Sequence, residues 1–191
     1  MTAVALVLAP STGGICRHVL SLAIGLVGAG DTVTVYGPVA TEKDFGFTRV
    51  GARFVPLAIS ASPRPGDAVV VRSLGRALRA EPPAVMHAHG LRAGMVAGLA
   101  RPSTVPLVLT WHNLVLTGGL RGRVYRRFEG YVARGADVTL GASADLVARA
   151  RDLGAIDARL AAVAAPTPYP STTVDGCPRP LTLVDAVDAK A

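Results

Sequence analysis

The sequence predicts an α/β fold: a single Rossmann-like, doubly wound sheet, mainly parallel, with helices on both faces. Three observations carry this. Residues 3–9 (AVALVLA) form a continuous apolar run, as expected of a strand buried on both faces. A turn, a helix and a β-branched strand follow within the first 36 residues, so the chain opens as β-loop-α-β. A second unit, residues 84–113 (AVMHAHGLRAGMVAGLARPSTVPLVLTWHN), repeats strand, helix, strand. Such units need a parallel sheet, and right-handed crossovers place their helices on both faces.

In order, residues 10–14 (PSTGG) read as a turn and residues 15–29 as a helix stopped by Gly30. Residues 32–36 (TVTVY) are a second strand. The polar, glycine-containing residues 37–51 read as a loop. Residues 53–57 make a short strand cut by Pro56, which suits a sheet edge. Residues 58–66 are a loop with two prolines, and Asp67 is placed to N-cap a helix reaching Ala80, with Val70, Val71, Leu74 and Leu78 as its apolar positions. Pro82 and Pro83 stop that helix. In the second unit, residues 85–89 and 106–110 are the strands and residues 91–100 the helix. A glycine-bearing loop at 114–119 leads to an arginine-rich helix over 121–134, with Val124, Phe128, Tyr131 and Val132 as its apolar face. Residues 137–142 (DVTLGA) are a strand, and Ser143 is placed to cap a helix to Leu153 with Gly154 as its stop. A last strand is expected at 160–164. From residue 166 the character changes: five of the 14 prolines fall between Pro166 and Pro180, so 166–191 read as a linker and tail after a domain of residues 1–165.

Composition narrows the partners. Half the residues are apolar and 17% are charged, which excludes a disordered chain. The net charge is +7, and every basic residue except Lys43 and Lys190 is arginine, the residue suited to bidentate contact with phosphates and carboxylates. Cys16 and Cys177 lie far apart and form no CxxC, so neither a disulfide scaffold nor a zinc ribbon is indicated. No run approaches the ~20 apolar residues of a membrane span. The expected location is cytoplasmic. The basic and aromatic stretch 121–128 (RGRVYRRF) makes the anionic inner face of a membrane a candidate peripheral contact.

The motifs point to a cleft at the carboxyl ends of the strands, where open α/β sheets bind ligands. The glycine pair Gly13-Gly14 allows close approach of the backbone to a phosphate at a helix start, although neither GxGxxG nor GxxxxGK is present. His87 and His89 share one strand face, and His112 ends the next strand beside Asn113. Three histidines reach the minimum for a catalytic zinc, but no carboxylate stands at suggestive spacing, and no metal or other cofactor is assigned. His112 is the better acid–base candidate, since an imidazole titrates near neutrality. Ser143 lies in GASAD rather than GxSxG, which disfavours a serine hydrolase, and no nucleic-acid-binding signature is present.

Taken together, the opening strand with Gly13-Gly14, the helix bearing Arg17-His18-Val19, VMHAHG (85–90), LTWHN (109–113), the arginine-rich helix with Glu129, and ADVTLGAS (136–143) resemble the N-terminal domain of a GT-B-fold, family 4-like retaining glycosyltransferase. The resemblance implies glycosyl transfer from a nucleotide-sugar to an acceptor hydroxyl, without a bound metal. It implies that Gly13 and Gly14 approach the donor's diphosphate and sugar, that His112 is the catalytic residue, and that His89, Gly90 and Asn113 line the acceptor side. The family's donor-binding domain is expected after residue 165, where only residues 179–185 match its first strand. Its partner would then be a separate domain or chain. The alternative is a non-catalytic α/β module that binds a sugar, a lipid headgroup or a partner protein.

Overall fold

A computed structural model of the chain describes residues 1–11, 13–113 and 119–161, apart from the side chains of residues 120 and 121. The proline-rich linker and tail, the run 181–185, Cys177 and most of the loop 114–119 lie outside the described residues.

Seven strands form one sheet: β1 (Ala3–Leu8), β2 (Thr32–Gly37), β3 (Arg53–Pro56), β4 (Val85–His89), β5 (Leu107–Trp111), β6 (Val138–Gly141) and β7 (Ala158–Leu160). Their order is β3-β2-β1-β4-β5-β6-β7. Every pairing is parallel, so the sheet is more uniform than "mainly parallel". The direction of winding reverses between β1 and β4, which register as Leu6 opposite His87 and Leu8 opposite His89. β3 lies at the edge, where Pro56 forfeits no interior ladder bond.

The helices divide into two sets. Helix α1 (Gly14–Gly28) packs Val19, Ala23 and Leu26 against Val4, Leu6, Leu8, Val33 and Val35. On the other face, α3 (Asp67–Ala80), α4 (Leu91–Ala100), α5 (Gly119–Gly135) and α6 (Ala144–Asp152) bury Leu74, Leu78, Val96, Val132, Leu146 and Val147 against Met86, Leu107 and Leu109. Close approach of α4 depends on Gly94: a Cβ there would come 2.6 Å from Leu109 Cδ1 and 2.9 Å from Val132 Cγ1.

Local expectations depart from the structure in five places. The expected loop 37–51 contains helix α2 (Val39–Phe45) and a 3-10 turn (Phe47–Val50). Gly46, at φ +65°, ends α2, and the Glu42 carboxylate accepts from Phe47 N at 3.0 Å and Thr48 N at 3.2 Å, capping the turn from within the preceding helix. Asp67 is the first residue of α3, not its cap; Gly66 holds that position. Ser143 does occupy the N-cap of α6 but makes no capping bond with its side chain. The last strand falls at Ala158–Leu160, earlier than expected. The apolar face of α5 is also rotated. Val124 and Tyr131 are 61% and 49% exposed, while Glu129, Val132 and Ala133 are buried.

Candidate functional site

A cleft of about 580 Å³ opens at the carboxyl ends of β1, β4 and β5. Pro10 and Ser11 after β1, His89 and Gly90 at the end of β4, and Trp111, His112 and Asn113 at the end of β5 line it. Asp44 and Phe45 of α2 close one side; Tyr125, Phe128 and Glu129 of α5 close the other. His89, Gly90, His112 and Asn113 thus share one cavity. Gly13 and Gly14 stand apart from that wall: both are exposed, between the lining residues Ser11 and Ile15, with open space where a Cβ would stand. Gly13 (φ +58°) and Gly90 (φ +82°) occupy backbone conformations that side chains disfavour, so both turns that begin helices at the cleft require glycine.

The histidines converge further than their spacing indicated. His87 and His89 face α1 and are each 2% exposed. Their ring centroids are 4.0 Å apart. His87 Nε2 lies 2.7 Å from Thr110 Oγ1, and His112 Nε2 lies 3.5 Å from His89 Nδ1, the outer limit of a hydrogen bond. His18 of α1 completes the group, edge-on to His89 and His112 with centroids 5.8 and 5.7 Å away. All four histidines of the chain therefore form one contiguous stack. Among the described residues, no group of three His, Cys, Asp or Glu side chains is arranged to hold a metal ion.

Burial sets the charge state of this stack. Desolvation, with smaller contributions from the charges of His18 and His112, holds His87 at about 3. Burial, and then the neighbouring His87, His112 and His18, holds His89 well below the ordinary histidine range. Burial and His18 hold His112 at about 4, and burial also lowers His18. At neutral pH His112 is therefore an uncharged hydrogen-bonding group and a weak base, a narrower role than general acid–base catalysis.

Opposite the histidines, charged groups are paired. Arg92, in the first turn of α4, lines the cleft and donates from Nη2 to Asp67 Oδ2 at 2.9 Å and from Nε to Ser60 O at 3.0 Å. It thereby pins the loop between β3 and α3, whose Ala61 also lines the cleft. Glu129, buried at the far end, is bridged to Arg149 of α6 through both carboxylate oxygens. The sequence reading missed Asp44 and Phe45, because α2 was taken for a loop, and Arg92, whose partners are distant in sequence. Pro38 before α2 and Gly46 after it were the available signals.

The chain matches the glycosyl transferase 4-like domain over residues 13–166. It belongs to that family. No curated protein matches it in sequence. Among solved structures, this glycosyl transferase 4-like chain is similar to Acinetobacter baumannii MurG, at 15% identity and a TM-score of 0.55, covering 75% of this chain and 42% of that one. It is also similar to HepE from Anabaena in complex with UDP, at 15% identity and a TM-score of 0.59, covering 81% of this chain and 41% of that one. A glycosyltransferase from Rickettsia africae aligns at 12% identity and a TM-score of 0.54, covering 73% and 36%. These likenesses establish a shared fold, and the chain spans about 40% of the length of the first two structures. The expected resemblance to a GT-B N-terminal domain holds. Among the described residues, no helix is long and apolar enough to cross a membrane.

Proposed function

We propose that this domain forms the acceptor-side wall of a retaining glycosyltransferase that moves a hexosyl group from a nucleotide-sugar to an acceptor hydroxyl. The observation that carries the reading is His112 at the end of β5, in one cleft with His89 and Gly90 and with Ser11 and Ile15, the residues that flank the open Gly13-Gly14 turn. The cleft sits at the strand ends where winding reverses, the place at which open α/β sheets bind ligands. The nucleotide-sugar is supported by HepE, whose structures hold UDP and UDP-glucose.

The residues suggest a division of labour. The exposed glycine turn at the start of α1 leaves room for a diphosphate against backbone amides. His112, uncharged, offers a ring nitrogen to a sugar or acceptor hydroxyl, and His89, Gly90 and Asn113 bound the space the acceptor fills. Rate enhancement on this wall comes from holding the hydroxyl close to the anomeric carbon; stabilising the leaving diphosphate falls to a facing donor-binding domain. The exposed arginines of α5, Arg123, Arg126 and Arg127, fit peripheral contact with an anionic membrane carrying the acceptor.

The test is transfer by this chain paired with a donor-binding domain, assayed across nucleotide-sugars. His112→Ala should lower kcat by about 10²–10³-fold, the typical loss for one transition-state hydrogen bond. Unchanged turnover would remove His112 from the reaction. Binding of sugars or lipid headgroups with no transfer under any pairing would favour the non-catalytic module.

A further inference from the structure

The stack beneath His112 has more order than a cleft lining needs. Among the described residues, two of the four ring nitrogens of His87 and His89 have a polar partner, and His87 Nδ1 and His89 Nε2 are buried without one. His87 spends Nε2 on Thr110 Oγ1. His89 faces His112 Nε2 with Nδ1, and its own Nε2 is buried without a partner among the described residues. His89 cannot swing away, because His87 lies against it on its own strand and His18 stands edge-on to it from α1. The same His18 ring stands edge-on to His112.

We propose that His89 is a positioning residue for His112: by engaging Nε2 of that ring it fixes one tautomer and leaves Nδ1 as the nitrogen presented to the cleft. The inference rests on reading His112 as the group that meets the sugar or acceptor. A neutral imidazole carries one N–H and one lone pair, and the bond made by one nitrogen decides which form the other takes. Two uncharged imidazoles meeting nitrogen to nitrogen must place a single proton between them. The tautomers of the two rings are therefore coupled, and with His89 held in one form the cleft receives a group of fixed character. His89 acts through His112 and need not touch substrate.

The experiment uses the full 191-residue chain, labelled with ¹⁵N at its imidazoles and observed at pH 7 by multiple-bond proton–nitrogen correlation. In the unmodified chain His112 should show one protonated and one bare ring nitrogen. His89→Asn, whose amide reaches the position of Nδ1, should keep that separation. His89→Gln, whose amide reaches the position of Nε2 instead, should lose it, and the two His112 nitrogens should move to a common averaged shift. Backbone amide spectra report whether each variant is folded, and the Asn and Gln pair keeps both substitutions polar. A single His112 tautomer in folded His89→Gln, an averaged one in His89→Asn, or an averaged one in the unmodified chain overturns the inference. The readout needs no substrate, so it stands or falls separately from glycosyl transfer itself.

Discussion

The two walls of the cleft solve the same problem in opposite ways. On the α1 face, His18, His87, His89 and His112 are kept uncharged by burial and by one another. On the opposite face, charge is kept and paired: Arg92 with Asp67, and Arg149 with Glu129. Burial pushes the Asp67 carboxyl up, but the Arg64 amide and the Arg92 guanidinium outweigh it, so the group titrates below its usual range. The lesson concerns which groups can be silenced. An imidazole loses its charge at little cost near neutrality, whereas a guanidinium cannot, so a buried arginine must bring its anion with it. The histidine wall therefore stays uncharged through neutral pH and takes up protons only in acid, and the arginine wall behaves as fixed scaffolding.

The largest expected effect breaks the paired wall. Arg149→Met leaves the Glu129 carboxylate, 4% exposed, without its counter-ion. A loss of about 3–5 kcal/mol in unfolding free energy should follow, read from the urea midpoint. The double variant Arg149→Met, Glu129→Met should recover most of it, because no charge is left stranded. Equal loss in the single and double variants would show that packing, and not pairing, is what matters there.

The next effect tests the silenced wall. His87 and His89 have folded pKa values below the unfolded value of about 6.5. Above that pH both states are neutral and stability is at its full value. Below it the unfolded chain binds protons that the folded chain refuses, so stability falls with pH until the folded groups titrate, near 3 for His87. Each of the two should contribute a slope of about 1.4 kcal/mol per pH unit over that window. Urea midpoints level from pH 8 to 7 and declining from 6 to 5 are expected. A flat profile down to pH 5 would mean that the stack is charged or open to water.

A smaller effect is expected at Arg92. Removing it in Arg92→Met strips Asp67 and Ser60 of one partner each, but Asp67 Oδ2 still accepts from Arg64 N at 3.0 Å and Oδ1 from Ser60 Oγ at 3.3 Å. A loss of about 1–3 kcal/mol follows from one stranded charged hydrogen bond. Amide exchange should quicken in residues 60–66 more than in the strands. Uniform quickening would mean that Arg92 supports the whole domain rather than this loop.

This contrast explains what could be read in the sequence. The strands were legible because a strand buried on both faces is apolar along most of its length, as 3–8 (AVALVL) and 107–109 (LVL) are. The cleft was legible because open parallel sheets form one at the carboxyl ends of their strands, where His89, Gly90, His112 and Asn113 fall. The face of α5 was not, since Glu129 is buried only because Arg149 reaches it from the next helix, a fact no local pattern encodes. His18 was visible as a motif residue, but its place edge-on to His89 and His112 joins α1 to the ends of two strands distant in sequence, which only the assembled sheet specifies. Helix α2 was hidden by a composition that also suits a loop.

The smallest expected effect calibrates the contrast. Arg53 and Glu81 form an ion pair 2.7 Å long with side chains 49% and 65% exposed. The geometry is as close as that of Arg92 and Asp67, so distance alone would rank the two pairs together. Solvent decides otherwise: water and salt screen the exposed pair, and ordering two long side chains offsets most of the attraction. Glu81→Gln should change the unfolding free energy by less than about 1 kcal/mol, with the difference shrinking as salt is added. If Glu81→Gln instead matched Arg92→Met, and did so in high salt, burial would not be what separates scaffold pairs from ornament on this domain. The division between a silenced wall and a paired wall would then have to rest on hydrogen-bond geometry alone.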